Sequence, residues 1–374
     1  MAEPTHASNG IKECDRIKMV SKEKSKLKQC TVVLTHGCNL RCDFCYAKGA
    51  DYRADDQLSY DELKRIVDLC GAADMRYIFF TGGEPLTHPR IIDILRYIND
   101  RYPSITPTIA TNGVLLEDPE LCRRLVDSGL KYLDISMKGA DGADWKKATG
   151  YDGFARQLRA ISNLASQPVE FTCSMVLTMD SVTKVCDAVR AAYDHGASQF
   201  SFTFFIDNTE SRRKGWEYLE EHNPFALIES FVSQIDRLSA ITDDWWVEYS
   251  FPICVYTERQ LELLDGRLAG PCQIHLMNAI TVNTKMELLP CDLYINTKLG
   301  RMGEDFSSYP ELMSWMETPK FRAVMNGMRK WPSEKCSSCE HLEECYGGCP
   351  VLWKNYSFDA LMDFKADRSK SSNR

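Results

Sequence analysis

The sequence predicts an α/β protein built on a parallel sheet. Two observations carry this. Six short apolar segments recur between residues 31 and 205, and segments with one apolar helical face separate them. Parallel strands need such crossovers, whereas antiparallel neighbours need only tight turns. Six βα units can curl into an open barrel or lie as a flatter sheet, and periodicity does not choose between them.

The elements follow in order. Thr31–Thr35 reads as a buried strand that ends at His36-Gly37. The helix after it starts at a capping box, with Ser59 followed three residues later by Glu62, and places Leu63, Ile66, Val67 and Cys70 on one face. Residues 77–80 form a second strand. Pro89 opens a helix through about Tyr102. Residues 107–111 are a third strand, and Asp118-Pro119 caps a helix that Gly129 ends. Strands at 132–137, 170–178 and 200–205 complete the set, with helices at 153–165 and near 180–195. Beyond Phe205 the pattern changes. The charged stretch 207–222 includes Arg212, Arg213 and Lys214, which read as a solvated face. Residues 224–240 read as one amphipathic helix, and 245–253 as a possible strand whose Trp245-Trp246 pair packs in the core or lines a groove. The last residues read as frayed.

The chain has 374 residues, a net charge of −8 and 44% hydrophobic residues. Wholesale disorder is excluded, and the length supports a large core. No apolar stretch is long enough to span a membrane, and no basic tract suggests nucleic acid. The opening MAEPTHASNG lacks the pattern of a secretion signal, so a cytoplasmic protein is expected. Sixteen cysteines are many for such a chain. In a reducing compartment they point to metal ligands or reactive thiols rather than disulfides.

Cys38, Cys42 and Cys45 lie directly after the first strand in C-x3-C-x2-C spacing. Thiolates on one short loop can converge on a metal centre. Zinc would need a fourth ligand, whereas a [4Fe–4S] cluster with three cysteines keeps one iron open.

This loop, CNLRCDFCY, resembles the signature of the radical S-adenosylmethionine (radical SAM) enzymes. The resemblance implies a partial (β/α)6 barrel of TIM type, with a C-terminal cysteine-rich domain. It also implies a [4Fe–4S] cluster on the three cysteines, with SAM on the open iron. Reductive cleavage of SAM would give a 5′-deoxyadenosyl radical that takes a substrate hydrogen. Phe44 fits the aromatic position before the third cysteine. Gly82-Gly83-Glu84-Pro85 after the second strand is similar to the stretch that lines the SAM amino group. Asn112 after the third strand, and Ser136 with Lys138 after the fourth, fall where the family contacts SAM ribose and carboxylate. Lys146 or Lys147 stands where the family often has an arginine.

Cys336, Cys339, Cys345 and Cys349 follow C-x2-C-x5-C-x3-C spacing, with Cys272 and Cys291 upstream. By itself the run suits a zinc ribbon or iron–sulfur ligands. It resembles the SPASM domain, which carries auxiliary iron–sulfur clusters, and also the shorter one-cluster "twitch" variant. The SPASM resemblance implies Cys272, Cys291 and Cys349 on one cluster, and Cys336, Cys339 and Cys345 with a further cysteine on a second. That further cysteine, expected downstream, is missing. Cluster two then uses an oxygen of Asp359 or Asp363, keeps an open iron, or is absent. Met286 stands where the family has glycine. Cys254 is a spare that would complete cluster one or pack as a buried thiol. Cys14, Cys30, Cys70, Cys122, Cys173 and Cys186 show no ligand spacing and read mainly as small hydrophobes.

The resulting division is a lead-in at 1–29, a core at 30–205, a connecting helical segment at 206–270, a SPASM-like domain at 271–355 and a tail at 356–374. The leading expectation is maturation of a ribosomally made peptide by crosslinking, epimerisation or oxidation. The residues before the core are too few for a peptide-recognition domain, so a separate recognition protein or the core itself would serve. A flavodoxin or ferredoxin would donate electrons. Dehydrogenation of a small alcohol, sugar or tetrapyrrole is an alternative. So is formylglycine-forming sulfatase maturation, because Pro-Cys-Asp-Leu-Tyr at 290–294 resembles a stretch whose aspartate is the base, here Asp292. A metal-binding interaction protein is the non-enzyme alternative.

Overall fold

A computed structural model describes residues 27–48, 53–209, 216–248 and 251–371. Cys14 and residues 212–214 lie outside them. The six expected strands are present: β1 (Gln29–Thr35), β2 (Tyr77–Gly82), β3 (Thr106–Thr111), β4 (Tyr132–Met137), β5 (Glu170–Leu177) and β6 (Gln199–Phe204). They pair in parallel in chain order. Between them run the helices Tyr60–Ala72, Ile91–Arg101, Pro119–Asp127, Phe154–Ala165 and Val185–Tyr193. The first carries its capping box, with Ser59 and Glu62 exchanging side-chain and backbone bonds.

The sheet extends past both ends of this set. β7 (Trp245–Glu248) pairs parallel with β6, and β8 (Ala279–Val282) pairs parallel with β1. β9 (Glu287–Leu289) and β10 (Gly300–Arg301) follow β8 antiparallel. The order is β10-β9-β8-β1-β2-β3-β4-β5-β6-β7, so β7 and β8 do not pair and the barrel stays open there. The sheet thus crosses the borders expected near 205 and 271. The connecting segment is not wholly helical. Its helix splits into Pro224–Val232 and Ile235–Ser239. The tail also differs from expectation, because Phe358–Ser371 is a helix. Leu361 and Phe364 form its buried face, and Phe364 packs on Trp216 at 4.8 Å between ring centres.

Along β4 the burial alternates. Leu133, Ile135 and Met137 are buried, while Tyr132, Asp134 and Ser136 are half-buried. One face packs on helices, and the other lines the inside of the barrel. In register, Ser136 stands opposite Ser174 and Ser174 opposite Ser201. On the outer face of β6, Phe202 meets Phe231 at 5.3 Å and Trp245 at 6.3 Å. Trp245 is therefore a core residue. Cys30, Cys70, Cys122, Cys173 and Cys186 are buried, as expected for packing thiols. No helix among the described residues is long and apolar enough to cross a membrane.

Phe202→Ala should cost about 3–5 kcal/mol through loss of apolar contact and a residual cavity. Urea denaturation of the two proteins measures this.

Candidate functional site

The cysteine loop follows β1 and is held at both ends. Leu40 enters a small separate core with Val114 and Trp145, which Phe154 flanks. The Arg41 and Asp43 amides donate to the Thr149 and Ala148 carbonyls at 3.1 and 2.8 Å, at the end of helix Gly142–Thr149. At the far end the Tyr46 hydroxyl donates to Gly82 O at 3.2 Å, and Asn208 Nδ2 donates to Tyr46 O at 2.9 Å. Cys38 is exposed, and Cys42 and Cys45 are half-buried. Surrounding protein atoms push the Cys38 thiol up to about 11, and negative charge on Glu84, Cys42 and Cys45 adds to this. Burial also raises Cys42, opposed by the Lys138 ammonium. Three thiols thus share one field. Among the described residues no three His, Cys, Asp or Glu side chains converge as a single-ion site. A cubane cluster offers each thiolate its own iron, so the three need not meet at a point. This donor set fits such a cluster.

Gly82 and Gly83 sit where side chains cannot. Gly82 has φ +138°, and a Cβ there would lie 2.3 Å from Thr35 O. A Cβ on Gly83 would lie 2.2 Å from Gly37 O. The two backbones zip together, with Gly83 N donating to Thr35 O at 2.7 Å and Glu84 N to Gly37 O at 2.8 Å. The pair therefore seats the loop that carries Cys38.

Glu84 is only 1% exposed. Its Oε1 accepts from Leu86 N at 3.0 Å and Thr111 Oγ1 at 2.7 Å, and its Oε2 from Asn112 N at 2.8 Å. Burial raises this carboxyl, and those donors oppose the rise. Its oxygens are thus engaged by protein. Pro85 is buried and starts a 3₁₀ turn that Glu84 caps. Asn112 Nδ2 donates to Asn39 Oδ1 at 2.7 Å, joining the end of β3 to the cysteine loop. On the other side, Lys138 donates to Ser136 Oγ at 2.5 Å and lies 5.2 Å from the centre of the Phe44 ring. The structure therefore gathers Phe44, Gly82, Gly83, Asn112, Ser136 and Lys138 around the three cysteines.

Some participants carry no sequence signal. Gln157 donates to the Asn112 and Ser136 carbonyls at 2.8 and 3.0 Å, tying the ends of β3 and β4. Asp134 is half-buried inside the barrel, and burial pushes its carboxyl up to about 6. A lone aspartate in an apolar strand could have been noticed, because a carboxylate there needs a reason.

Next to this site lies a cavity of about 590 Å³, lined by Phe44, Lys138, Met175, Asp207, His222 and Tyr356 among others. The C-terminal cysteines form two groups. Burial and the charges of Asp292, Cys349 and Cys272 raise Cys291, and burial with Cys272 raises Cys349 to about 12. Cys272, Cys291 and Cys349 are therefore neighbours. Cys336 senses Cys345 and Cys339 instead. Between the groups, Tyr346, Gly347 and Gly348 take φ of +47°, +80° and +75°, a left-handed run that separates Cys345 from Cys349 in the chain. Met286 takes φ +60°, which explains a glycine preference at that position. Asp292 lies close to Cys291 and Cys349, and its carboxylate is also the main charge acting on the Tyr46 hydroxyl. It thus stands between the cysteine loop and the first C-terminal group, and burial raises its carboxyl.

Comparison with known proteins agrees. Residues 32–201 match the model of the radical SAM superfamily. AdoMet-dependent heme synthase of Methanosarcina barkeri is 29% identical over 174 residues, covering 46% of this chain and 49% of that protein. The match thus spans about half the length of that relative. The same enzyme of Nitratidesulfovibrio vulgaris is 28% identical over 353 residues, covering 88% and 89%. Mycofactocin maturase MftC of Mycobacterium ulcerans is 25% identical over 325 residues, covering 84% and 81%. Among solved structures, Streptococcus suis SuiB bound to its precursor peptide SuiA superposes with a TM-score of 0.66 at 17% identity, covering 90% of this chain and 76% of that one. Residues 32–201 are thus similar to the radical SAM superfamily, and the fold of nearly the whole chain is similar to that of SuiB.

Two outcomes follow. Glu84→Gln replaces one acceptor oxygen with a donor facing N–H or O–H groups, and should cost roughly 1–3 kcal/mol in a denaturant titration. Asp134 holds its proton more tightly in the folded state, so its contribution to stability falls as pH rises from about 4 to about 6. Asp134→Asn should gain stability relative to the parent across that window, with a constant difference above it, when unfolding is followed by pH.

Proposed function

We propose that the chain is a radical SAM enzyme that modifies a ribosomally synthesised peptide. The observation that carries this is the convergence of the three-cysteine loop, the glycine pair and the Ser136–Lys138 pair beside one cavity at the C-terminal strand ends. In barrels of this kind those ends carry catalytic groups. Cys38, Cys42 and Cys45 would hold the [4Fe–4S] cluster. When bound and reduced, that cluster supplies the electron that cleaves SAM to a hydrogen-abstracting 5′-deoxyadenosyl radical. Asn112, Ser136 and Lys138 orient SAM, with the Lys138 ammonium suited to its carboxylate. The backbone at Gly82 and Gly83 allows close approach. Asp292 takes a proton from the substrate, and burial raises its carboxyl, which makes it a stronger base than a solvated aspartate. Cys272, Cys291 and Cys349, with the run from Cys336, would hold auxiliary iron–sulfur clusters. A flavodoxin or ferredoxin would supply electrons, a separate protein would present the peptide, and the compartment would be the cytoplasm.

A second reading is favoured by the heme synthase match, which extends over 88% of the chain. There the cavity would take a tetrapyrrole or another small molecule, and its volume lies in the usual range for such ligands.

The test begins with anaerobically purified, iron-loaded protein and SAM. Formation of 5′-deoxyadenosine is expected, and its loss in Cys42→Ala. Colourless, zinc-loaded protein that leaves SAM intact would sink the enzyme reading. Co-expression with a short peptide encoded beside the chain should change that peptide's mass. Asp292→Asn should abolish the mass change while sparing SAM cleavage. An unmodified peptide, together with turnover of an iron porphyrin, would favour the second reading.

A further inference from the structure

The run at 336–345 offers three thiols, and residues 350–374 hold no cysteine. The structure brings a fourth from upstream. Residues Ile253–Val255 form a 3₁₀ turn after Pro252. The Ile253 amide donates to Cys345 Sγ at 3.4 Å, so the turn rests directly on that sulfur. Backbone N–H groups directed at cysteine sulfur are a feature of iron–sulfur ligation. The next residue is Cys254. After crowding by protein atoms, the charges that raise its thiol are those of Cys345 and then Cys336. Lys365 fastens the turn from the C-terminal helix, donating to the Cys254 and Tyr256 carbonyls at 2.8 and 2.9 Å. The oxygen alternatives fare worse. Asp359 and Asp363 are exposed on that helix.

We propose that Cys254 is the fourth ligand of the second auxiliary cluster, joining Cys336, Cys339 and Cys345. This rests on the reading that the C-terminal region holds iron–sulfur clusters. It replaces the expectation that Cys254 completes the first group or packs as an inert thiol. The reversal of order is physically unremarkable. A ligand is chosen by its place in space, and a turn fastened by Lys365 puts Cys254 where a downstream cysteine would otherwise be needed.

Differential alkylation tests it on the wild-type chain. Cys254 and Cys339 are both exposed without a cluster. Iodoacetamide should label both in protein stripped by chelator. After anaerobic reconstitution with iron and sulfide, mass spectrometry should find both protected. Cys254→Ala should then lose about four irons per chain, or show a three-iron EPR signal on oxidation. Labelled Cys254 beside protected Cys339 in the loaded protein would overturn the ligand assignment while leaving the cluster in place. If both are labelled in the loaded protein, the second cluster is absent and the proposal falls with it.

Discussion

The buried carboxylate of Glu84 is the constraint on which the site depends. A carboxylate out of water is tolerated only when its oxygens are hydrogen-bonded. Here the partners are the Leu86 and Asn112 amides and the Thr111 hydroxyl, so one side chain binds the ends of β2 and β3 together. Its own amide donates to Gly37 O, which adds the end of β1. Asn112 then reaches Asn39 inside the cysteine loop. Three strand ends and the loop are thus coupled through one charge, and the loop's position follows from satisfying it. The glycines before Glu84 serve the same end, because any side chain on them would force the two backbones apart.

The second organising feature is the division of the sheet into two faces. Outward residues such as Ile135 and Phe202 meet helices and aromatic rings. Inward residues such as Asp134, Ser136, Ser174 and Ser201 leave a polar interior. Burial there raises the proton affinity of Asp134, and the polar neighbours Ser174 and Lys138 oppose the rise. Burial raises Asp292 as well, close to both Tyr46 and Cys291.

The C-terminal region is built into the core rather than attached to it. β8 pairs with β1, and the Lys28 amide donates to Asn278 O at 2.7 Å. Asn208 bridges the Tyr46 and Leu293 carbonyls at 2.9 and 3.1 Å. Asn355 donates to the Asp207 and Thr209 carbonyls at 3.0 and 2.8 Å. His275 contacts the Gly348 carbonyl at 3.0 Å, which ties the Cys272 segment to the Cys349 turn. These bonds set the distance between the cysteine loop and Asp292.

Local patterns were legible in the sequence because their causes are local. The six strands follow from apolar runs, the first helix from Ser59 and Glu62, and the cysteine loop from its spacing. Residues 358–371 look polar enough to fray, and tertiary contacts of Leu361, Phe364 and Lys365 reveal their helix as a packed one. The partner of β1 on the side away from β2 lies some 250 residues away along the chain, and no periodicity announces such a pairing. The sequence alone determined an α/β protein whose cysteines gather in two regions. Tertiary structure decided which thiols are neighbours, dividing the C-terminal set at Tyr346–Gly348 and bringing Cys254 to Cys345. The physical reason is that spacing constrains ligands within one loop, whereas ligands from separate segments meet only where packing and hydrogen bonds fold the segments together.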